Sequence, residues 1–251
     1  MKVIFISDLH GRDFWKKAIE RDSDLFICLG DYFDSFDISK DKQVENFKEL
    51  LFYAKSNKKI QLLLGNHDIH YILWHTQYFE FMRGSGYSEE LLYKVISLYN
   101  ENKDLFKVAW QHNDILATHA GICQKYYDTY LKKFHERYTN FNIADFLNLL
   151  WDQRSGLLMK VGQKRGGKNE QGGIFWADKS ELLADPLQGF TQIVGHTPIP
   201  CIEDIKKGSK LYQFTYDWKD KTRLVFTDSY LYKTYEDAEF FKIEIKDNDV
   251  S

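Results

Sequence analysis

Five short blocks of polar residues and glycine are spread along this chain, and four of them close apolar runs that are typical of strands. In order, the blocks are Asp8-Leu9-His10, Gly30-Asp31-Tyr32-Phe33-Asp34, Gly65-Asn66-His67-Asp68, Thr118-His119-Ala120-Gly121 and Gly195-His196-Thr197. Aspartate, asparagine and histidine, which recur in them, are side chains that bind metal ions. Any single block could be only a turn or a helix N-cap. Together, in this order, they indicate a shared site.

The beginning of the chain alternates between strand and helix patterns. Apolar, β-branched runs predict strands at Lys2–Ser7, Asp24–Leu29 and Ile60–Leu64. Between them, Asp13–Glu20 and Val44–Ala54 have helical character. Strand, helix, strand, helix, strand predicts right-handed crossovers and a parallel sheet.

Polar residues follow these predicted strands directly. Asp8, Asp31 and Asn66 each lie just beyond a strand end. In parallel sheets, ligands bind at the carboxyl ends of the strands. We therefore expect these three side chains to meet at one edge of the sheet, although they are far apart in sequence.

The segment from about residue 69 to 103 is rich in aromatic residues and predicts a helical insertion beside the sheet. Its apolar face is formed by Leu91, Leu92, Val95, Ile96 and Tyr99. After it, Phe106–Trp110 and Ile115–Thr118 predict a β-hairpin whose second strand leads to His119.

The remaining chain predicts further helices and strands. Helical patterns occur at Tyr126–Phe134 and Ile143–Trp151. A strand at Thr191–Val194 leads to His196. Closing strands are predicted at Leu211–Phe214, Leu224–Phe226 and Phe240–Ile245.

Composition limits the class of protein. A length of 251 residues with 43% hydrophobic and 28% charged residues predicts one globular domain over residues 1–251. The formal net charge of −3 argues against a surface that coats nucleic acid. No apolar stretch reaches the roughly 20 residues that a membrane span needs. Three widely spaced cysteines, Cys28, Cys123 and Cys201, favour a reducing compartment, so we expect a cytoplasmic protein.

The candidate ligands share a mixed chemistry of carboxylate, imidazole and amide. They are Asp8, His10, Asp31, Asn66, His119 and His196. Imidazole ligands suit manganese, iron, zinc or nickel, so we expect divalent transition-metal ions. Asp31 is the natural bridge, because one carboxylate can contact two ions. Two such ions would outweigh the charges of Asp8 and Asp31, and the positive remainder would attract a phosphate.

The five blocks resemble those of the calcineurin-like metallophosphoesterase superfamily. His119–Ile122 and Val194–Pro198 look most similar to the Ser/Thr protein phosphatase branch, which includes symmetrical diadenosine-tetraphosphate hydrolases. The resemblance extends from Asp8 to His196. It implies an α/β fold, a four-layer α-β-β-α sandwich of two mixed sheets with outer helices, to which this chain adds the helical insertion.

The resemblance also implies a role for each residue. One ion would be held by Asp8, His10 and Asp31, and the second by Asp31, Asn66, His119 and His196. A hydroxide bridging the two ions would attack phosphorus. His67 would be the general acid that protonates the leaving oxygen, oriented by Asp34, because a neighbouring carboxylate favours the protonated imidazole.

Two positions depart from the protein phosphatase pattern. Ser35 stands where that pattern has an arginine that grips phosphate, and Asp68 stands where it has glutamate. Arg12, after His10-Gly11, and Arg154, in a Leu-Trp-x-x-Arg segment, are the substitutes that we expect to bind phosphate, with Arg154 favoured.

A glycine- and lysine-rich loop at Gly162–Gly173 imitates a nucleotide-binding loop. Its last motif position is Asn169, so no hydroxyl is available for magnesium, and no clear helix follows. We therefore exclude a nucleotide triphosphatase. The loop either contacts an anionic substrate or is a solvated connection.

These patterns predict a metal-dependent enzyme that hydrolyses phosphoesters, with a phosphorylated substrate. A phosphomonoesterase acting on phosphoproteins is the leading interpretation, and a dinucleoside polyphosphate hydrolase or a phosphodiesterase is the alternative. A different class, a non-catalytic interaction module, usually loses ligand residues, whereas all six positions are filled here. The oligomeric state is not predicted.

Overall fold

Ten strands form two stacked sheets within the described part of the chain. The computed structural model describes residues 1–199, 214–217, 221–228 and 240–246. In chain order, the strands within these residues are β1 Lys2–Ile6, β2 Leu25–Cys28, β3 Ile60–Leu63, β4 Phe106–Lys107, β5 Ala109–His112, β6 Ile115–Thr118, β7 Thr191–Val194, β8 Phe214–Asp217, β9 Arg223–Phe226 and β10 Phe241–Glu244.

Both sheets are mixed, as the resemblance implies. The first has the order β10-β1-β2-β3-β4, in which β1 to β4 are parallel and β10 pairs antiparallel with β1. The second has the order β5-β6-β7-β9-β8, with β6, β7 and β9 parallel and the two outer strands antiparallel. The parallel core predicted from the first three strands is confirmed.

The space between the sheets is filled by alternate residues of their strands. In β1, Val3 and Phe5 face the second sheet, while Ile4 and Ile6 belong to the cluster that includes the helices. The inter-sheet cluster consists of Val3, Phe5, Ile27, Leu29, Leu63, Ile115, Ala117, Ile193, Val225 and Ile245. Burying each large apolar side chain here stabilises the stack by about 1.5–3 kcal/mol.

Helices cover the outer faces. They are α1 Trp15–Ile19, α2 Lys40–Ser56, α3 Asn66–Ile72, α4 Phe79–Met82, α5 Glu89–Asn102, α6 Gln124–Tyr126, α7 Lys132–His135, α8 Ile143–Asp152 and α9 Lys179–Ala184. Short 3₁₀ turns occupy Lys103–Leu105 and Gln163–Arg165, and a π-helical turn occupies Tyr127–Leu131. Helix α1 packs on β1, α2 on β3 and α8 on β5, which gives the predicted four layers.

The helical character of the insertion is also confirmed. Helices α3, α4 and α5 lie between β3 and β4, and α5 packs against α2 and α3. Of the predicted apolar face of α5, Leu91, Leu92, Val95 and Tyr99 are buried, and Ile96 is half-buried.

The hairpin predicted at Phe106–Trp110 is wrong in its first strand, because the chain changes sheets there. Strand β4 pairs with β3 in the first sheet, and β5 pairs with β6 in the second. The buried Val108 lies between them, and its backbone N–H donates to Asn148 Oδ1 (2.8 Å). That side chain also accepts from the Ala109 N–H (3.2 Å) and so supports the crossing.

Three predictions concern the rest of the described chain. The strand predicted at Leu211–Phe214 lies outside the described residues except Phe214, which begins β8.

Cys28 and Cys123 are buried free thiols, and Cys201 lies outside the described residues. Within the described residues, no helix has the length and apolarity to cross a membrane. The cytoplasmic location stays a prediction.

Candidate metal centre

Strand ends from both sheets bring the polar blocks together. Asp8 follows β1, Asp31 follows β2, and Asn66 opens α3 after β3. In the second sheet, His119 follows β6 directly and His196 follows β7. The stacking of the sheets therefore places side chains from distant parts of the sequence within contact distance.

The loops that carry these residues are bent into the left-handed backbone region. Among the described residues, nine non-glycine residues have positive φ, and five of these belong to the blocks: Asp8, His10, Asp31, Asp34 and His196. Such a backbone costs about 1–3 kcal/mol per residue, and it persists where the surrounding structure fixes it. The concentration of strain in one place is typical of a functional site.

Two glycines of the blocks are required by close approach. A Cβ at Gly65 would lie 2.2 Å from Asp31 Oδ1, and one at Gly195 would lie 2.2 Å from Asp8 Oδ2. Any larger residue at either position would displace a carboxylate of the site. This explains why glycine precedes Asn66 and His196.

The first group of candidate ligands consists of Asp8, His10 and Asp31. His10 Nδ1 lies 2.7 Å from the Phe33 carbonyl oxygen. Burial lowers the pKa of His10 to about 4, so its ring is neutral at pH 7 and Nδ1 carries the proton that it donates. Nε2 therefore has a free lone pair, and it lies 3.9 Å from Asp31 Oδ2.

The second group is formed by Asp31, Asn66, His119 and His196. His119 Nδ1 lies 2.9 Å from the Leu29 carbonyl oxygen. Burial lowers the pKa of His119 to about 4, so Nδ1 carries the only ring proton. Its unprotonated Nε2 lies 2.8 Å from Asn66 Oδ1 and 3.4 Å from Asp31 Oδ2.

This arrangement turns acceptor atoms towards one another. The lone pair on His119 Nε2 faces oxygens of Asn66 and Asp31, and His196 Nδ1 lies 3.2 Å from the same nitrogen. A cation among these atoms would bind their lone pairs. His196 Nε2 is buried and has no hydrogen-bond partner within the described residues. Burial also lowers the pKa of His196 well below its usual value, so its ring is neutral and able to bind a metal.

Asp31 is common to both groups, and its environment also fits a cation. Burial, and then the nearby charge of Asp8, raises the pKa of Asp31 well above its usual value. Two buried carboxylates that face each other repel, and divalent cations would neutralise them. The donor set of nitrogen and oxygen atoms suits transition-metal ions.

His67 and Asp34 form a contact beside these groups. His67 Nδ1 lies 2.8 Å from Asp34 Oδ2, and the His67 ring centre lies 5.0 Å from that of His10. Burial alone would raise the pKa of Asp34, but the hydrogen bond from His67 and the close contact with His70 hold it well below the usual range. The carboxylate is thus ionised. Asp34, His67 and His70 also have ligand-type atoms close together, and Asp34 Oδ2 accepts the Nδ1 proton of His67 there.

A cleft of about 550 Å³ opens over these side chains. Its lining includes His10, Asp31, Asn66, His67 and His196. Asp8 and His119 are not among the lining residues, and they contact residues that are. The structure therefore brings together all eight residues for which the sequence predicted a metal or catalytic role.

The predicted phosphate-binding arginines have different positions. Arg12 lines the cleft, donates to the His10 carbonyl (2.8 Å) and pairs with Asp37. Ser35, in the place where the resemblance puts arginine, donates its hydroxyl to the same Asp37 (2.6 Å).

Arg154 is not brought to the cleft. Its guanidinium lies 4.3 Å from the ring centre of Trp151 and 3.4 Å from the Tyr99 hydroxyl. Cation–π contact stabilises this exposed position, and Arg154 is not among the residues that line the cleft in the described chain.

Arg165 lines the cleft and was missed by sequence reasoning. It ends the 3₁₀ turn in the predicted basic loop, Gly162–Gly173. Nη2 donates to Thr197 Oγ1 (2.6 Å), and Nε lies 2.9 Å from Asp178 Oδ2. The basic composition of the loop was the signal, but it did not identify which cation reaches the site.

Asp68 has a supporting position that the sequence did not predict. Its buried carboxylate accepts from the backbone N–H groups of Asp31 (2.7 Å), Tyr32 (2.8 Å) and Gly65 (2.8 Å). It therefore ties the loop after β2 to the loop after β3. Burial raises the pKa of Asp68 to about 7.

Comparison with known families agrees with this geometry. The model of the calcineurin-like phosphoesterase family matches residues 1–226. This chain belongs to the calcineurin-like phosphoesterase family. As a calcineurin-like phosphoesterase, it is a phosphoester hydrolase with residues suited to binding metal.

Solved structures share the fold of this calcineurin-like phosphoesterase. The cold-active protein-tyrosine phosphatase of a psychrophilic Shewanella species is 19% identical, with 97% of this chain and 75% of that chain covered and a TM-score of 0.50. A mutant of a cold-active protein tyrosine phosphatase has the same identity and coverage and a TM-score of 0.54. At this identity the likeness concerns the fold alone. None of the curated protein sequences matches this chain.

Proposed function

We propose that this chain is a phosphomonoesterase that depends on two divalent transition-metal ions. Asp8, His10 and Asp31 would hold one ion, and Asp31, Asn66, His119 and His196 the other. Bound there, the ions would acidify a water molecule as nucleophile and neutralise charge on the phosphoryl oxygens.

The observation that carries the proposal is the set of lone pairs that face each other around Asp31. His119 Nε2 lies 3.4 Å and His10 Nε2 lies 3.9 Å from the same Asp31 Oδ2. Each imidazole is fixed by a hydrogen bond from Nδ1 to a backbone carbonyl, so neither can turn a proton towards the carboxylate. Asp31, His10 and His119 would each have a lone pair available to bind a divalent cation.

His67 is the proposed general acid. Asp34 accepts the Nδ1 proton of His67 and so leaves Nε2 as the ring atom available to the cleft. His67 would give the Nε2 proton to the leaving oxygen, and the ionised Asp34 would stabilise the protonated ring before transfer. No covalent bond between enzyme and phosphorus is needed.

Two arginines are proposed to hold the phosphate. Arg12 and Arg165 both line the cleft, whereas Arg154 is held on Trp151. Arg165 is paired with Asp178, and the guanidinium fork has further donors for an anion. Ser35 stands where the resemblance puts an arginine that binds phosphate. We therefore assign that phosphate contact to Arg165, with Arg12 beside it.

Phosphorylated protein side chains are the substrate class that we propose. Phe36 lines the rim of the cleft and is 86% exposed, so it can contact a polypeptide around the phosphorylated residue. The blocks at His119 and His196 resemble the Ser/Thr protein phosphatase branch, which favours the same class.

The test is a substrate panel on protein loaded with manganese, iron, nickel or zinc. We expect turnover of p-nitrophenyl phosphate, and a phosphopeptide should be hydrolysed faster than diadenosine tetraphosphate or a cyclic nucleotide. Preferred hydrolysis of either nucleotide would contradict the substrate class. Absence of turnover with every metal, in protein with measured metal content, would favour a non-catalytic binding module instead.

A further inference from the structure

A loop of the helical insertion is bound to two side chains of α3. This roof loop consists of residues 84–88, between α4 and α5. Its Gly84 N–H donates to His70 Nδ1 (3.2 Å), and its Ser88 N–H donates to the Tyr71 hydroxyl oxygen (3.2 Å). The roof loop is therefore joined by hydrogen bonds to the turn of α3 that follows His67.

Both of these α3 side chains also contact Asp34. The Tyr71 hydroxyl donates to Asp34 Oδ1. His70 Nε2 lies 2.9 Å from Asp34 Oδ2, off the line of an ideal hydrogen bond, and His67 Nδ1 lies 2.8 Å from the same oxygen. Asp34 is 1% exposed, so these three side chains replace water around its carboxylate.

The hydrogen bond from Gly84 determines which ring nitrogen of His70 carries the proton. Because Gly84 donates to Nδ1, that nitrogen carries a lone pair, and the ring proton of a neutral His70 is on Nε2. His70 is fully buried, and burial lowers its pKa, which keeps the ring neutral. The nitrogen that carries the proton is therefore the one that lies 2.9 Å from Asp34 Oδ2.

Packing holds the roof loop in this place. The Tyr87 ring stacks on that of Tyr71, with centres 5.3 Å apart and planes at 26°. Gly86 has φ +83°, and a Cβ there would lie 2.9 Å from Asp34 Cβ. A Cβ at Gly84 would lie 3.6 Å from His67 Cε1. The backbone of the roof loop thus lies against both Asp34 and His67.

We propose that His70 and Tyr71 are positioning residues through which the roof loop fixes Asp34 and, with it, the orientation of His67. The inference rests on the acid role of His67 given above. A carboxylate held at one oxygen can turn about its Cβ–Cγ bond, whereas donors on both oxygens fix its plane. Removal of either buried donor would release that constraint.

Packing alone does not explain the hydroxyl of Tyr71. Phenylalanine would fill the space of Tyr71 and keep the stack on Tyr87, but it would give Asp34 no donor. Tyr71 instead accepts from the roof loop and donates to Asp34 with one hydroxyl, so loop position and carboxylate position are linked through a single atom.

The test compares two phosphate esters in Tyr71→Phe, His70→Ala and a control variant. Tyr87→Phe is the control, because it changes the same kind of hydroxyl on the roof loop and keeps the ring. p-Nitrophenyl phosphate has a good leaving group and needs no proton, whereas phosphoserine does. We expect Tyr71→Phe and His70→Ala to lower kcat for phosphoserine about tenfold, with kcat for p-nitrophenyl phosphate within about twofold of wild type. Tyr87→Phe should change neither.

Equal losses on the two esters, or none on either, would overturn the positioning role. His70→Gln, whose amide can donate to Asp34, should recover part of the phosphoserine rate that His70→Ala loses. Circular dichroism and thermal melting identify a variant that has failed to fold.

A spectroscopic measurement separates this inference from the proposed function. The His67 Nδ1–H proton, bonded to Asp34, should give a downfield resonance that shifts in Tyr71→Phe and His70→Ala but not in Tyr87→Phe. An unchanged resonance in the first two variants would contradict the inference whatever the activity. Absence of turnover by wild-type protein with any metal would instead count against the proposed function.

Discussion

The Asp31 carboxylate lies 3.4 Å from His119 Nε2, and this contact joins the edges of the two sheets. Asp31 follows β2 in the first sheet, and His119 follows β6 in the second. The first ligand group follows strands of the first sheet alone, whereas the second takes Asp31 and Asn66 from the first sheet and His119 and His196 from the second. The site therefore depends on the stacking of the sheets, and Asp31 is the residue on which both ligand groups converge.

Asp31→Asn tests this convergence. The amide keeps the size of the side chain but removes the charge that would neutralise two cations. We expect the metal content to fall from two ions per chain, and kcat for p-nitrophenyl phosphate to fall at least about a hundredfold. Elemental analysis and steady-state kinetics measure these effects. A variant with full metal content and full activity would remove Asp31 from the bridging position.

His67→Ala tests the general acid. Phosphoserine should lose about 10²–10³-fold in kcat, because its alkoxide leaving group needs a proton, and p-nitrophenyl phosphate should lose far less. The comparison of the two esters in one variant serves as its own control. Equal losses would show that His67 acts in some other way.

Arg165→Ala tests the phosphate contact. Loss of a guanidinium from the cleft should raise the inhibition constant of inorganic phosphate about tenfold, which corresponds to about 1.4 kcal/mol. Arg154→Ala is the matched control, because Arg154 is stacked on Trp151 outside the cleft lining, and it should leave the constant unchanged. A raised inhibition constant in Arg154→Ala with an unchanged constant in Arg165→Ala would make Arg154 the phosphate ligand instead.

The pH dependence of stability follows from the buried histidines. In the folded metal-free chain, the pKa of His119 is lowered to about 4, against an ordinary value of 6.5. Between these values the unfolded chain binds the proton and the folded chain does not, so the contribution of His119 to stability falls as the pH is lowered from about 6.5 to 4. The raised pKa values of the buried Asp31 and Asp68 act in the opposite direction. The loss from His119 alone should be about 2 kcal/mol between pH 7.5 and pH 5.

Denaturant unfolding of metal-free protein at the two pH values measures this effect. His119→Gln should be destabilised at pH 5, relative to pH 7.5, by about 2 kcal/mol less than wild type, because glutamine does not titrate. His75→Asn, a change at an exposed histidine with positive φ, should leave it unchanged. The same difference in unfolding free energy in His119→Gln and in wild type would contradict the buried, neutral state of His119.

The sequence predicted the parts of the fold and site that depend on local pattern. Apolar runs that end at Asp8 or Gly30 mark strand ends, and the topology of parallel strands places such ends together. Thr191–Val194 is a strand with the predicted bounds. The identity of the side chains then indicated the chemistry.

Features that depend on distant contacts were not predicted. The change of sheet at Val108 depends on a hydrogen bond to Asn148, far along the chain. The arrival of Arg165 in the cleft depends on how a glycine-rich loop folds back towards Thr197. The contacts of His70 with Gly84 and Asp34 also join separate segments, and the spacing of residues carries no signal for them.

Anomalous diffraction from crystals grown with excess manganese tests the central claim most directly. The account predicts two peaks about 3.5–4 Å apart, one on each side of the Asp31 carboxylate, with His10 Nε2 at one and His119 Nε2 at the other. Ordered side chains with no peak between them would contradict it.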